Sequence, residues 1–110
     1  MQPYNWNGIP ETELSPGLTR QMIHTPRMTI LRVSFKKGVA SPAHQHVHEQ
    51  VTMLASGAMR FDLAGEKIVL RPGDLLPIPS NVPHSAEALE DSVLIDVFTP
   101  PRDDLKNRAD

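Results

Sequence analysis

The chain has 110 residues, a formal net charge of −2 and no cysteine. This length corresponds to one domain, and the lack of cysteine excludes disulfide scaffolds, thiolate metal sites and cysteine nucleophiles. Acidic and basic residues are interspersed and no long apolar run or signal peptide is apparent, so we expect a cytoplasmic protein with neither nucleic acid nor a membrane as partner.

Short predicted elements follow one another along the chain, because eleven prolines and six glycines interrupt it. The N-terminal segment, 1–27, is predicted to form strands, of which one is placed at Leu18–His24. The core barrel is expected at about 28–99, with strands at Thr29–Lys36, Val51–Leu54, Met59–Leu63, Glu66–Leu70, Leu75–Ile78 and Val93–Phe98. The C-terminal segment, 100–110, contains a predicted short helix at Arg102–Arg108. Residues 1–110 therefore indicate a single all-β domain, either a sandwich or a barrel.

Two of these segments show strict alternation of apolar and polar residues. Leu31, Val33 and Phe35 are separated by polar residues, and the segment Met59–Leu63 repeats the pattern. A period of two is typical of a strand with one buried face. At this chain length, folding should bury about two-thirds of the unfolded surface, so we expect a core that does not depend on a bound metal.

A cluster of histidines is the clearest functional signal. Three of the five histidines, His44, His46 and His48, lie within five residues. On an extended strand, His44 and His46 would point to the same face and present two imidazoles to one point. A third ligand could come from His48, Glu49 or Gln50, and a fourth must come from elsewhere. The alternative, that these are solvated or hydrogen-bonded loop histidines, stays open on spacing alone.

The surroundings of the cluster extend the pattern over two separate frames. The first frame reads Gly38, five residues, His44-x-His46, three residues, Gln50, six residues and Gly57; the second reads Gly73, five residues, Pro79-x-Asn81, two residues and His84. Together they resemble the paired motifs of the cupin superfamily. The resemblance implies a jelly-roll β-barrel with one divalent metal ion held by His44, His46, Gln50 and His84. Glu49 is the main competitor for the third position, and His48 is a weaker one.

Gln50 departs from the family pattern, which usually has glutamate there. Asn81 and Ala88 also depart, from a glycine and an asparagine; asparagine tolerates the positive φ that such a turn needs. Three imidazoles and an amide leave the charge of a divalent ion uncompensated, which favours capture of a carboxylate. The set also differs from the two-histidine, one-carboxylate site of iron oxygenases, so we favour non-redox chemistry with zinc, nickel, manganese or iron.

A narrower resemblance covers the chain from about Gly38 to its end. Three segments resemble the bacterial pectin-degradation cupins of the KdgF type: His46-Val47-His48-Glu49-Gln50, the segment from Ile78 to Asp91, and the segment from Asp96 to Asp104, which contains Phe98-Thr99-Pro100-Pro101-Arg102. This resemblance implies an isomerase- or hydrolase-like enzyme that linearises 4,5-unsaturated uronate monosaccharides from pectin or alginate into open-chain 4-deoxy-5-keto uronates. It further implies that Asp96, Phe98 and Arg102 line the active site, with Asp96 and Arg102 catalytic and with Phe98 and Arg102 contacting the substrate.

The residues themselves are compatible with these roles. Asp96 and Phe98 share a face with Leu94 on an otherwise apolar strand, and two prolines stiffen the backbone before Arg102. The competing interpretations are a hydrogen-bonded aspartate at the barrel mouth, a core phenylalanine and a solvated arginine. Met59 or Arg60 could also face the cavity.

Two alternative functions and a dimeric state remain as hypotheses. The protein could be a metal-dependent sugar- or effector-binding cupin without turnover, or, less favoured, a cupin dioxygenase. A homodimer is expected, and Tyr4, Trp6 and Ile9 could supply its apolar contacts.

Overall fold

The computed structural model describes residues 1–106, which form ten strands, one 3-10 turn and one short helix. The strands are β1 (Thr12–Ser15), β2 (Leu18–His24), β3 (Thr29–Phe35), β4 (Ala40–His44), β5 (Glu49–Ser56), β6 (Met59–Leu63), β7 (Glu66–Leu70), β8 (Leu75–Ile78), β9 (His84–Ala88) and β10 (Ser92–Thr99). The 3-10 turn covers Trp6–Gly8, and α1 covers Asp103–Lys106. Within this described part, no helix is long and apolar enough to span a membrane.

Two antiparallel sheets form the structure. The larger sheet has the strand order β1-β2-β3-β10-β5-β8, and the smaller has the order β4-β9-β6-β7. Neighbours such as β3 and β10 are distant in sequence, so the chain crosses repeatedly between the sheets. The all-β prediction is confirmed.

The core lies on the inner faces of both sheets. Along β3, the predicted alternation is confirmed, since Leu31, Val33 and Phe35 are buried and the residues between them are only partly covered. Met59 and Phe61 of β6 are buried from the opposite sheet. Because the inner positions of facing strands are apolar, burial of these side chains supplies the main stabilisation of the fold.

The positions of three strands were not predicted: β1, which lies in the segment 1–27 where strands were expected, β4 and β9. The burial pattern of β4 is irregular and mostly exposed, and it contains Pro42. The inward residues of β9 after His84 are small alanines. These two strands pair with each other and place His44 opposite His84, so they matter more for the site than for the core.

The C-terminal helix is shorter than predicted at its beginning. It starts at Asp103 rather than Arg102, and Asp103 and Asp104 lie in its first turn. Residues 107 and 108 of the predicted helix lie outside the described part of the chain. Leu105 is 4 % exposed and packs into the core, which fixes α1 against the barrel.

The two histidine frames are tied to each other by main-chain hydrogen bonds. Asn81 adopts a φ of 63°, and its N–H donates to the carbonyl of His46 at 2.7 Å. The adjacent Ser80 hydroxyl donates to the carbonyl of Val47 at 2.6 Å. The turn before β9 therefore holds the loop between β4 and β5 in place.

Candidate metal centre and active site

Three histidines converge at one end of the barrel. His44 ends β4, His84 begins β9, and His46 lies in the loop before β5. The ring centroids are 4.3 Å apart for His44 and His84, and 5.1 Å apart for His46 and His84. One nitrogen from each ring lies within 4.8 Å of the others, so the three side chains can hold a metal ion. Because β4 ends at His44, loop geometry rather than strand alternation brings His46 to the cluster.

Backbone carbonyls orient all three rings in the same way. Nδ1 of His44 lies 3.0 Å from the carbonyl of Pro42, Nδ1 of His46 lies 3.0 Å from that of His48, and Nδ1 of His84 lies 2.9 Å from that of Val82. A carbonyl only accepts, so each neutral ring carries its proton on Nδ1 and keeps the lone pair on Nε2. This carbonyl anchoring is the usual support of a metal-binding histidine.

Electrostatics favour the neutral, metal-binding form of His46 and His84. Burial, reinforced by the positive charge of Arg102, lowers the pKa of His46 to about 4. Burial also lowers the pKa of His84, with further contributions from His44 and Arg102. Nε2 of His84 is buried and has no hydrogen-bond partner among the described residues. A neutral imidazole with an unpaired, buried lone pair fits a divalent cation well.

Gln50 lies beside this cluster at the beginning of β5. Its Oε1 is 3.1 Å from Nε2 of His46, and its Nε2 donates to Thr52 Oγ1 at 2.8 Å and to Asp96 Oδ1 at 3.3 Å. With the proton of His46 on Nδ1, two lone pairs face each other across 3.1 Å, an arrangement that a cation relieves. The amide oxygen thus faces the histidines while the amide nitrogen faces Asp96.

The competitors for the third ligand position are placed differently. Glu49 is exposed on the opposite side of β5 from Gln50. His48 is outside the group of converging ligand atoms, and its Nε2 is 4.0 Å from Asp104 Oδ1. The structure therefore places the amide oxygen of Gln50 beside His46, whereas Glu49 points away and the ring of His48 contacts that of His46, with centroids 5.4 Å apart.

Asp96 is a buried carboxyl group in the middle of β10. It is 7 % exposed and points inward with Leu94 and Phe98, as its position in the strand predicts. Burial raises the pKa of Asp96 to about 6, although hydrogen bonds from Thr52, at 2.7 Å, and Gln50 oppose the shift. Near neutral pH this group can therefore exist with or without its proton, which suits a group that exchanges protons.

Arg102 lies over the ring of Phe98. Its guanidinium carbon is 4.9 Å from the ring centroid, a cation–π distance. Its backbone N–H donates to Thr29 Oγ1 at 2.8 Å, and its side chain forms a two-point ion pair with Asp104. Phe98 also contacts His46, with ring centroids 5.5 Å apart, so one ring contacts both the arginine and a histidine of the cluster.

One cavity of about 290 Å³ connects most of these groups. Its wall includes the predicted site residues His44, Gln50, His84, Asp96, Phe98 and Arg102. The two further residues suggested for this wall are elsewhere: Met59 is fully buried in the core, and Arg60 is half-exposed and pairs with Glu87.

Sequence reasoning missed two residues of the site. Arg20 of β2 is 7 % exposed and lines the cavity. The sequence could have indicated Arg20, because it occupies an inward position between Leu18 and Met22 of a predicted strand. Thr52 is fully buried and joins Gln50 to Asp96; its position two residues after Gln50 on one strand places both side chains on the same face.

Comparison with known proteins agrees with this geometry. The cupin domain family matches residues 31–98. The pectin degradation protein KdgF of Dickeya dadantii is 36% identical over 99 residues, which cover 87% of this chain and 90% of the relative.

Two solved structures are similar over nearly their whole length. KdgF from Halomonas sp. has a TM-score of 0.89 at 36% identity and covers 94% of this chain and 97% of its own. An RmlC-like cupin from Shewanella frigidimarina has a TM-score of 0.87 at 29% identity, with 92% of each chain covered. The chain therefore belongs to the cupin superfamily and, within it, to the family of the pectin degradation protein KdgF.

Proposed function

We propose that this protein is a metal-dependent enzyme that opens the ring of 4,5-unsaturated uronate monosaccharides to give open-chain 4-deoxy-5-keto uronates. The observation that carries the proposal is a single cavity whose wall combines histidines able to hold a metal, the proton-exchanging group Asp96 and the cation Arg102. The relatives support it, because KdgF is a pectin degradation protein, and depolymerised pectin is a source of such uronates.

His44, His46, Gln50 and His84 would hold the metal. Neutral donors would leave its positive charge available, so the bound ion would supply Lewis-acid stabilisation of negative charge on substrate oxygen. Imidazole nitrogen suits zinc, nickel and iron, whereas manganese, which prefers oxygen donors, would find only the amide oxygen of Gln50. The chain's own contribution is to orient the imidazoles through the carbonyls of residues 42, 48 and 82, while burial lowers the pKa of His46 and of His84.

Asp96 would move the proton. Ring opening requires loss of the proton from the anomeric hydroxyl and cleavage of the bond between C1 and the ring oxygen, which leaves an aldehyde at C1 and an enolate over C4 and C5. Addition of a proton at C4 then converts the enolate into the 5-keto group. A carboxyl group with a pKa of about 6 can accept the proton of the hydroxyl and return a proton to C4 at neutral pH. Such general acid–base catalysis contributes on the order of 10²–10⁴-fold.

Arg102 and Phe98 would bind the substrate. A guanidinium matches the two oxygens of a uronate carboxylate, and the phenyl ring forms an apolar wall beside it. A cavity of about 290 Å³ lies at the lower end of the roughly 300–1,000 Å³ typical of small-molecule sites. This size favours a monosaccharide over an oligosaccharide.

The decisive experiment follows the ultraviolet absorbance of the conjugated C4–C5 double bond in free unsaturated uronate, from pectin and from alginate. Metal-loaded protein should accelerate the loss of absorbance, and chelation should remove the acceleration. Asp96→Asn should reduce turnover by about 10²-fold or more while retaining metal. The control Glu66→Gln makes the same chemical change at an exposed position and should leave turnover intact.

The rival functions are separated by the same preparation. Binding of the uronate without turnover would identify an effector-binding cupin instead. Oxygen consumption with loss of substrate would identify a dioxygenase.

A further inference from the structure

The carboxylate of Asp104 occupies one edge of the Arg102 guanidinium. Nε of Arg102 donates to Oδ1 at 3.0 Å, and Nη2 donates to Oδ2 at 2.9 Å. A guanidinium has five N–H groups arranged along three edges, and this contact uses the edge formed by Nε and Nη2. The terminal edge, with Nη1 and the second hydrogen of Nη2, is not used by Asp104.

The pair is more constrained than an ordinary surface ion pair. The side chain of Arg102 is only 13 % exposed, whereas that of Asp104 is 52 % exposed. Phe98 covers one face of the guanidinium at 4.9 Å, and the bidentate contact fixes rotation within the plane of the group. An arginine held on a face and on an edge has little remaining freedom, so its terminal edge has a defined direction.

The backbone around Asp104 is also fixed. Leu105 is buried in the core and lines the cavity, and its N–H donates to the carbonyl of Arg102 at 2.9 Å. The N–H of Arg102 is bound to Thr29 Oγ1. The short helix α1 therefore anchors both members of the pair to the barrel.

We propose that Asp104 is a positioning residue that holds Arg102 against Phe98 and presents its terminal edge to the carboxylate of the substrate. The inference rests on the proposed function for the identity of that substrate. It assigns α1 a role in substrate recognition rather than only in closing the barrel, and Asp104 itself does not touch the reacting atoms.

Steady-state kinetics with unsaturated uronate test this role. Asp104→Asn removes the charge and one of the two acceptors, and should raise KM about tenfold, which corresponds to about 1.4 kcal/mol, with a smaller change in kcat. Asp104→Glu should recover part of the loss, since it restores a two-oxygen acceptor. Asp103→Asn is the matched control, because it removes the same charge from the adjacent residue of α1, and it should leave KM within twofold.

A double-mutant cycle separates positioning from a general effect on the helix. In the Arg102→Ala background, Asp104→Asn should change KM by less than twofold, because the residue that it positions is gone. Additive effects of the two substitutions would overturn the inference. A lower KM for Asp104→Asn alone would also overturn it, since Asp104 would then be a competitor of the substrate carboxylate.

A readout without turnover keeps this inference distinguishable from the proposed function. The rate at which phenylglyoxal modifies Arg102, measured by peptide mass mapping, should increase several-fold in Asp104→Asn and stay unchanged in Asp103→Asn. Equal rates in the wild type and Asp104→Asn would overturn the inference even if the uronate were turned over. Faster modification in a protein that turns over no uronate would refute only the proposed function and would support the hold of Asp104 on Arg102.

Discussion

Gln50→Glu tests why an amide, rather than the carboxylate usual in cupins, stands beside the histidines. In the structure the amide nitrogen of Gln50 donates to both Thr52 Oγ1 and Asp96 Oδ1. Glutamate has no proton to donate at neutral pH, so the substitution would place a second carboxylate against Asp96. The hydroxyl of Thr52 carries one hydrogen and could then serve only one of the two.

The electrostatic free energy of placing a second carboxylate there follows from the distance between residue 50 and Asp96. Two unit charges separated by the 3.3 Å of the present contact repel each other by about 5 kcal/mol at an effective dielectric constant of about 20. Gln50 and Asp96 are 5 % and 7 % exposed, so water screens them little. At about 1.36 kcal/mol per pKa unit, this repulsion corresponds to a shift of more than three pKa units. The pair of carboxyl groups should therefore retain one proton through neutral pH.

The retained proton determines whether the stability of Gln50→Glu rises or falls with pH. The pKa of Asp96 is already raised in the folded protein, to about 6, and the new neighbour should raise it further. A carboxyl group with a raised folded-state pKa binds its proton more tightly in the folded chain, so stability falls as pH rises between the unfolded-state and folded-state pKa values. One retained proton contributes at most about 1.36 kcal/mol per pH unit, so metal-free Gln50→Glu should lose on the order of 2–3 kcal/mol more than the wild type between pH 5.5 and pH 8.

Urea unfolding of the metal-free proteins at these two pH values measures the difference. Gln50→Leu is the control, because it removes the same hydrogen bonds without adding charge. Loss of the Gln50 hydrogen bond should raise the pKa of Asp96 somewhat, so the pH dependence of this variant should lie between those of the wild type and Gln50→Glu. Parallel pH dependence for Gln50→Glu and the wild type would show that the two carboxyl groups do not meet, and would refute the reasoning.

Three further predictions concern the metal, the fold and the assembly. His84→Ala should lower the metal-to-protein ratio severalfold while urea unfolding stays cooperative; full occupancy by elemental analysis would contradict the ligand set. Gly57→Ala should lower the unfolding free energy by more than about 2 kcal/mol, because φ is +89° and the added Cβ would lie 2.2 Å from Ser92 Oγ. Gly38→Ala is the control: its φ is +85°, but no atom lies within 4 Å of the added Cβ, so it should cost less. Sedimentation analysis should show a homodimer. Tyr4, which is 77 % exposed in the single chain, should contribute to its interface, so Tyr4→Ser should weaken the dimer; a monomer at all concentrations would contradict this.

The core strands could be predicted because their burial follows alternation in the sequence. The predicted Thr29–Lys36 and Val93–Phe98 compare with observed strands at Thr29–Phe35 and Ser92–Thr99, and the inward direction of Asp96 followed from the same alternation. In a sheet with one buried face, the period of two is imposed by burial itself, so the sequence must record it.

The details of the site were less accessible from the sequence. β4 and β9 carry His44 and His84 but consist largely of Ala, Ser and Pro, so no apolar period marks them. The ion pair of Arg102 with Asp104 depends on where Leu105 anchors the helix, which no local pattern specifies. The direction of the Gln50 amide depends on Asp96, which is 46 residues away and becomes a neighbour only through the pairing of β5 with β10.

The carbonyl contacts of the three histidine rings have a consequence for metal supply. Because Nδ1 of each ring is already engaged and His46 is neutral well below physiological pH, loading near neutrality requires neither proton release from His46 nor rearrangement of the rings. Uncharged nitrogen and amide donors rank the first-row divalent ions by the general Irving–Williams order and add little preference of their own. The ion acquired in a cell would then reflect which metals are abundant where the chain folds, and host and growth medium become variables in the occupancy of the purified protein.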